Sequence, residues 1–323
     1  MDHFQIRDLG REDIRPALHL ALPSAARTDD DLIGRVDHFL RYLAAQDLEI
    51  NWKLGIVAQN CLVGSVLGVV SPGKVAMILT SSCTPETALC DAVTRALELL
   101  EQKARHAGLA ILQSLIPRDC ADRAQVLSKA GYTFLADMRY LVLEVPRSLP
   151  AEPRHADVVV EDYRAADEVV FRNTLSRTYE GSLDCPGLNG LRTIEEIVLS
   201  HRHTGIHDPR LWLIAKVGDN PVGVVLLTHV PLQSAMEIVY VGVVPEARGC
   251  SYGSYLVRLA IENAVGANST HLMLAVDHRN HYARKIYASF GFEETDRRHA
   301  WTRKLRTPPS ELSTSCSQRH DSV

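Results

Sequence analysis

"VGVVPEARGCSYGSYLV", residues 241–257, decides how the rest of the chain is read. The preceding "EIVYVGVVP" predicts a strand over 236–244, and the apolar spacing after Tyr252 predicts a helix from about 252 to 264. Between them lies an Arg-Gly-x-Ser-x-Gly turn made by Arg248, Gly249, Ser251 and Gly253. Strand, glycine turn and helix in that order gather unpaired backbone N–H groups and the positive end of a helix around one point, which suits a phosphate. Gly249 and Gly253 permit close approach of an anion, and Arg248 adds a charged fork of donors. Neither the dinucleotide GxGxxG pattern nor the P-loop pattern of the NTPases occurs in this stretch. An ordinary glycine-containing turn is the plain alternative.

Working outward, the first half of the chain lies on the second at a constant offset of 160 residues. Trp52 falls on Trp212, "AMILTSSCTPE" (76–86) on "MEIVYVGVVPE" (236–246), and Gly131-Tyr132 on Gly291-Phe292. One offset shared by three separated blocks identifies a duplicated unit. At about 150 residues per domain, the 323 residues also suggest two domains. The expected division is 1–146 and 157–306, with a proline-rich linker at 147–156 and a disordered polar tail at 307–323. In the second copy helices precede and then alternate with strands, with the last strand near 299–304, so the fold class expected is α/β with a mixed, helix-covered sheet in each domain.

Composition narrows the partners. A net charge of −4 provides no basic field for nucleic acid or acidic membrane, and no apolar run reaches the roughly 20 residues of a membrane span. Seven scattered cysteines without a CxxC pair read as reduced thiols, and the N-terminus has no export-type apolar stretch. A cytoplasmic protein with no nucleic-acid or membrane partner is expected.

Together, "VGVVPEARGCSYGSYLV" and "VDHRNHYARKIYASFGF" (276–292) resemble the GNAT (general N-acetyltransferase) superfamily. The first matches its V-x-P-x-x-R-G-x-G-x-G strand, loop and helix; the second matches its N-x-x-A-x-x-x-Y-x-x-x-G-F helix. The resemblance implies acetyl-CoA as co-substrate and no metal. It places the pyrophosphate on the amides of Gly249, Cys250, Ser251, Tyr252, Gly253 and Ser254 beside Arg248, and the thioester carbonyl on the amides of Val243 and Val244. Ser251 departs from the pattern, standing where the family has its middle glycine; its Cβ should crowd the phosphates slightly while its hydroxyl can donate. Tyr282 likewise replaces a small residue or proline.

Further roles follow from the resemblance. Glu237 occupies the strand position of the family's glutamate base, and period two would put it on one face with Val239, Val241 and Val243, where desolvation raises a carboxyl pKa. An edge-exposed glutamate is the alternative. Tyr287 falls on the motif tyrosine, the acid for the leaving thiolate, although with Ala283, Ile286 and Phe290 it also fits a plain core face. Asn280 is a helix N-cap, a cofactor contact or both. The irregular segment 178–192 lies where the family builds its acceptor site, which nominates Tyr179, Glu180, Asp184 and Asn189 against a simple surface loop. His201, His203 and His207 fall on no assignable element and read as a solvated loop, not as metal ligands.

The first copy lacks this chemistry. At the 160-residue offset Arg248 becomes Ala88, Gly249 Leu89, Ser251 Asp91, Gly253 Val93, Glu237 Met77 and Tyr287 Leu127. The expectation is a structural first copy and a second copy that acylates a small amine, or else a protein lysine or N-terminus, by direct attack in a ternary complex. The rival expectation is a non-catalytic acyl-CoA-binding or regulatory protein.

Overall fold

The computed structural model describes residues 4–22, 29–84, 86–148, 157–164, 166–230 and 233–306. The expected linker, apart from residues 147 and 148, and the expected tail at 307–323 lie outside them.

The first copy runs β1 (Gln5–Asp8), α1 (Ile14–Ala21), α2 (Asp29–Ala45), β2 (Ile50–Ala58), β3 (Cys61–Ser71), β4 (Val75–Thr80), α3 (Ala88–His106), β5 (Ile111–Pro117), α4 (Ala121–Lys129) and β6 (Thr133–Glu144). The second runs β7 (Val158–Asp162), α5 (Glu168–Thr178), α6 (Ile194–Arg202), β8 (Trp212–Val217), β9 (Asn220–Val230), β10 (Ala235–Val243), α7 (Tyr252–Gly266), β11 (His271–Asp277), α8 (His281–Ser289) and β12 (Glu293–Lys304). The two series match element for element, as a duplicated α/β unit requires. Among the described residues no helix is long and apolar enough to cross a membrane.

Spatial grouping differs from chain order. Among the described residues, one compact unit holds those of 4–135, 188–196 and 298–306; the other holds those of 136–187 and 197–297. Each sheet therefore closes with a strand from the other copy. The first unit has the order β1-β2-β3-β4-β5 followed by β12, and the second has β7-β8-β9-β10-β11 followed by β6. Residues 298–304 pair antiparallel with β5, so the strand expected near 299–304 completes the first copy's sheet and not its own. In the second unit β11 instead pairs with residues 138–144 of β6. Side chains anchor the exchange: Thr302 Oγ1 donates to Leu112 O at 3.2 Å, and Arg303 Nε donates to Glu101 at 2.8 Å.

In the second unit, Leu256, Val257, Ala260 and Ile261 of α7 join Tyr287 of α8 in a core over Met236, Ile238, Leu272, Leu274 and Val276 of the sheet. Spacings of three and four residues along α7 put those side chains on one stripe. Burial of this stripe fixes α7, and with it the loop that α7 opens.

Candidate active site

The loop between β10 and α7 has the conformation that its glycines permit. One 3-10 turn at Pro245–Ala247 leads to Gly249, at φ 82°, and Ser251, at φ 62°, both in the left-handed region. Tyr255 N–H donates to Ser251 O at 3.1 Å as the first bond of α7, which leaves the N–H groups of the preceding turn without intrahelical acceptors. Ser251 occupies the cap position, but its side chain makes no capping bond. Gly249, Cys250 and Ser251 are exposed, and a Cβ on Gly249 would meet nothing. Gly253 has a packing role as well: its Cβ would lie 3.0 Å from Ile286, so glycine lets α7 start close against α8.

Arg248 does not extend toward this open turn. Its Nη2 donates to Thr178 O at 3.1 Å and Glu180 O at 2.6 Å, and its Nε to Val243 O at 3.2 Å. Its guanidinium here clamps the end of α5.

A bulge in β10 rearranges the expected faces. Its register with β9 shifts between Ile238 and Tyr240, and its parallel pairing with β11 covers only Ala235–Ile238. Beyond the bulge Val241 and Val243 pack with the α7 core, so they share a face with Met236 and Ile238 and not with Glu237. The face expected to hold 237, 239, 241 and 243 does not form, because one inserted residue inverts the alternation. Tyr240 and Gly242 turn instead toward α5, where a Cβ on Gly242 would lie 2.6 Å from that of Thr178. Val244 N–H donates to Val222 O at 3.1 Å and is thereby spent. Antiparallel alternation then directs the N–H groups of Val241 and Val243 away from β9, toward the side on which β10 and β11 have parted. Of the expected Val243 and Val244 pair, Val243 remains, and Val241 joins it.

The opposite wall comes from α5, α6 and the segment between them. Tyr240 and Thr178 hydroxyls lie 2.8 Å apart, Tyr179 OH lies 3.0 Å from His201 Nε2, and the rings of Tyr179 and Tyr240 are 4.8 Å apart. His201, read from sequence as loop, sits in the last turn of α6, where its ring also approaches Tyr240. Asp184 Oδ1 accepts from the Asp277 amide at 2.8 Å, and Asp277 in turn accepts from the Cys185 amide at 3.2 Å and pairs with Arg279 at 2.6 Å. These bonds fasten the irregular segment to the end of β11. Glu180 is exposed, with its carbonyl on Arg248. Asn189 falls in the other compact unit, within Leu188–Glu196, whose Leu191 is buried with Ala110 and Ile111. Tyr240, Thr178, His201 and Asp277 were not anticipated; without the bulge, the sequence gives no sign that Tyr240 faces α5.

Two buried titratable groups belong to these elements, Glu237 on β10 and Tyr287 on α8. Burial raises the Glu237 carboxyl to about 7. On β10 it lies beside Met273 of β11 and opposite Thr228 of β9. Burial also raises the Tyr287 hydroxyl well above its ordinary range, and the charge of Asp184 pushes it the same way. Tyr287 stays protonated at neutral pH and can act only as a donor or acid. Asn280 caps α8, its Oδ1 accepting from Ala283 N–H at 3.3 Å.

The first copy differs at these openings, although β4 too pairs with β5 only over Val75–Met77. β4 pairs with β3 without a bulge, and Ser114 Oγ donates to Ile78 O at 2.9 Å. Thr87 caps α3 by accepting from Cys90 N–H at 3.3 Å, and Asp91 adds a negative charge in the first turn. One N–H of the helix end that would take an anion is thus already occupied, and the charge beside it is wrong for an anion.

Residues 176–292 match the model of the acetyltransferase (GNAT) family. Among solved structures, a GCN5-related N-acetyltransferase from Sphaerobacter thermophilus is similar over 94% of this chain and 96% of its own, with TM-score 0.65 and 18% identity. A tandem GNAT protein from the clavulanic acid biosynthesis pathway is similar over 94% and 99%, with TM-score 0.50 and 16% identity. A GCN5-related N-acetyltransferase from Kribbella flavida is similar over 78% and 91%, with TM-score 0.51 and 16% identity. At these identities the likeness is one of fold, and it extends through both copies. No curated protein matches the chain in sequence.

Proposed function

We propose that the second copy, whose residues 176–292 match the acetyltransferase (GNAT) family, transfers an acetyl group from acetyl-CoA to an amine by direct attack in a ternary complex. The observation that carries this reading is the joint opening of the loop at 249–254 and of β10 past its bulge, which leaves two sets of N–H groups in line for a pyrophosphate and a pantetheine arm. When bound, acetyl-CoA supplies the thioester. The amides of Val241 and Val243 face the gap in which the thioester carbonyl would develop negative charge. Glu237, with its carboxyl raised to about 7, takes the proton from the attacking ammonium, directly or through water. Tyr287 donates to the leaving thiolate. Tyr179 and Asp184 line the acceptor side, and a small amine is the first candidate acceptor, ahead of a protein lysine or N-terminus.

A screen of candidate amines with acetyl-CoA, read by free thiol release, tests the proposal. Amine-dependent release should fall by roughly 10²–10⁴-fold in Glu237→Gln and in Tyr287→Phe, with the acetyl-CoA dissociation constant nearly unchanged. Tight acetyl-CoA binding with no release for any amine class would favour a non-catalytic acyl-CoA-binding protein.

A further inference from the structure

We propose that Arg248 is a positioning residue that couples the cofactor loop to the acceptor segment, so that occupation of the loop orders residues 179–184. The inference rests on the acyltransferase reading and adds a division of labour within it. The backbone of Arg248 begins the open turn, while its guanidinium holds the carbonyls of Thr178 and Glu180, the last residue of α5 and the second residue beyond it. An arginine at a helix C-terminus satisfies carbonyls that have no helical partner and meets the negative end of the helix. The surroundings fit this clamp. Gly181 is left-handed at φ 62°, and a Cβ there would lie 3.2 Å from Arg248 Nη1. Arg177, in the last turn of α5, forms an ion pair with Glu246 in the 3-10 turn of the loop. Loop and helix end are thus tied twice, by charges of opposite order.

The first copy provides an independent observation. It has Ala88 in place of Arg248 and a closed helix end, yet the C-terminus of its first helix is again held by an arginine. Arg123 of α4 donates to Ala21 O at 2.8 Å and reaches Leu20 O and Leu22 O at 3.4 Å. The clamp persists where the phosphate chemistry is lost, so holding the helix end is a task separable from binding the anion. In the second copy alone the clamp is attached to the loop that would bind the cofactor. An anion on the amides of 249–254 fixes the Arg248 backbone, and the guanidinium passes that constraint to Thr178–Gly181, on which the placement of Tyr179 and Asp184 depends.

Hydrogen exchange and calorimetry on the full chain test this. Acetyl-CoA should slow exchange of the amides in 179–184 by about tenfold or more in the wild type. In Arg248→Ala the acetyl-CoA dissociation constant should stay within about threefold, while the slowing falls below about twofold. Gly181→Val, which crowds the guanidinium from the other side, should act in the same way. A hundredfold loss of acetyl-CoA affinity in Arg248→Ala would make the side chain a phosphate ligand and overturn the proposal, as would wild-type protection of 179–184 in both variants. If the wild-type chain binds no acetyl-CoA, the acyltransferase reading and the coupling fall together; faster exchange at 179–184 in unliganded Arg248→Ala would then still identify the clamp.

Discussion

The hydroxyls of Tyr240 and Thr178 lie 2.8 Å apart, joining β10 just past its bulge to the last turn of α5. Thr178 Oγ1 also donates to Leu175 O at 2.6 Å, so it keeps a partner when Tyr240 loses its hydroxyl. Tyr240→Phe should therefore cost only about 1 kcal/mol in thermal or urea unfolding, the net value of one hydrogen bond. A cost above about 3 kcal/mol would show that the hydroxyl organises more of the wall than this one contact.

Ser251 holds φ 62° without a capping bond to compensate. Glycine adopts that region freely, so Ser251→Gly should raise stability by about 0.5–1 kcal/mol, because relief of the left-handed strain exceeds the entropy glycine adds to the unfolded chain. Differential scanning calorimetry checks the sign, and a lower Tm would mean that the hydroxyl stabilises the turn in a way its bonding does not reveal.

Glu237 makes stability depend on pH. Its folded-state pKa, about 7, lies above that of an unfolded glutamate, so the folded chain binds this proton more tightly than the unfolded one. Burial of the charged form costs stability that grows as pH rises from about 4.5 through 7 and levels off above, to no more than about 3 kcal/mol. Glu237→Gln should therefore be more stable than wild type at pH 8, with the difference vanishing near pH 4.5. Parallel urea titrations across that range decide it; a difference independent of pH would mean that Glu237 titrates normally.

The duplication, the element order and the glycine turn before α7 were legible because they depend on local signals: a constant offset, apolar periodicity, and glycines beside a helix start. Residues whose placement depends on register were not. One extra residue in β10 turned Val241 and Val243 away from Glu237 and brought Tyr240 to α5, and no side-chain pattern marks such a bulge. The exchange of β6 and β12 was equally hidden, since an antiparallel edge is bonded through backbone groups common to every residue. Arg248 was recognised as important for its charge, but the carbonyls it holds are 68 and 70 residues away in the chain.

The exchanged strand has a direct consequence. A chain ending at Arg297 removes the neighbour of β5, the packing of Trp301 against the first unit's core and the Arg303 bond to Glu101. The first unit should then lose several kcal/mol and unfold at markedly lower temperature, although the deletion lies wholly within the second copy of the sequence. Unchanged thermal unfolding of residues 4–135 would contradict the assignment of that strand.

The central claim, that the second copy alone binds acetyl-CoA through an open helix end, is tested most directly by calorimetric titration of acetyl-CoA into the wild type and Ser251→Asp. The substitution imports Asp91, the residue the first copy has at this position. Aspartate tolerates the left-handed backbone and favours a helix N-terminus, so the fold should be kept or strengthened. The account predicts one equivalent per wild-type chain and a loss of at least about a hundredfold in affinity for Ser251→Asp, from repulsion between carboxylate and pyrophosphate. Two equivalents per chain, or wild-type affinity in Ser251→Asp, would contradict it.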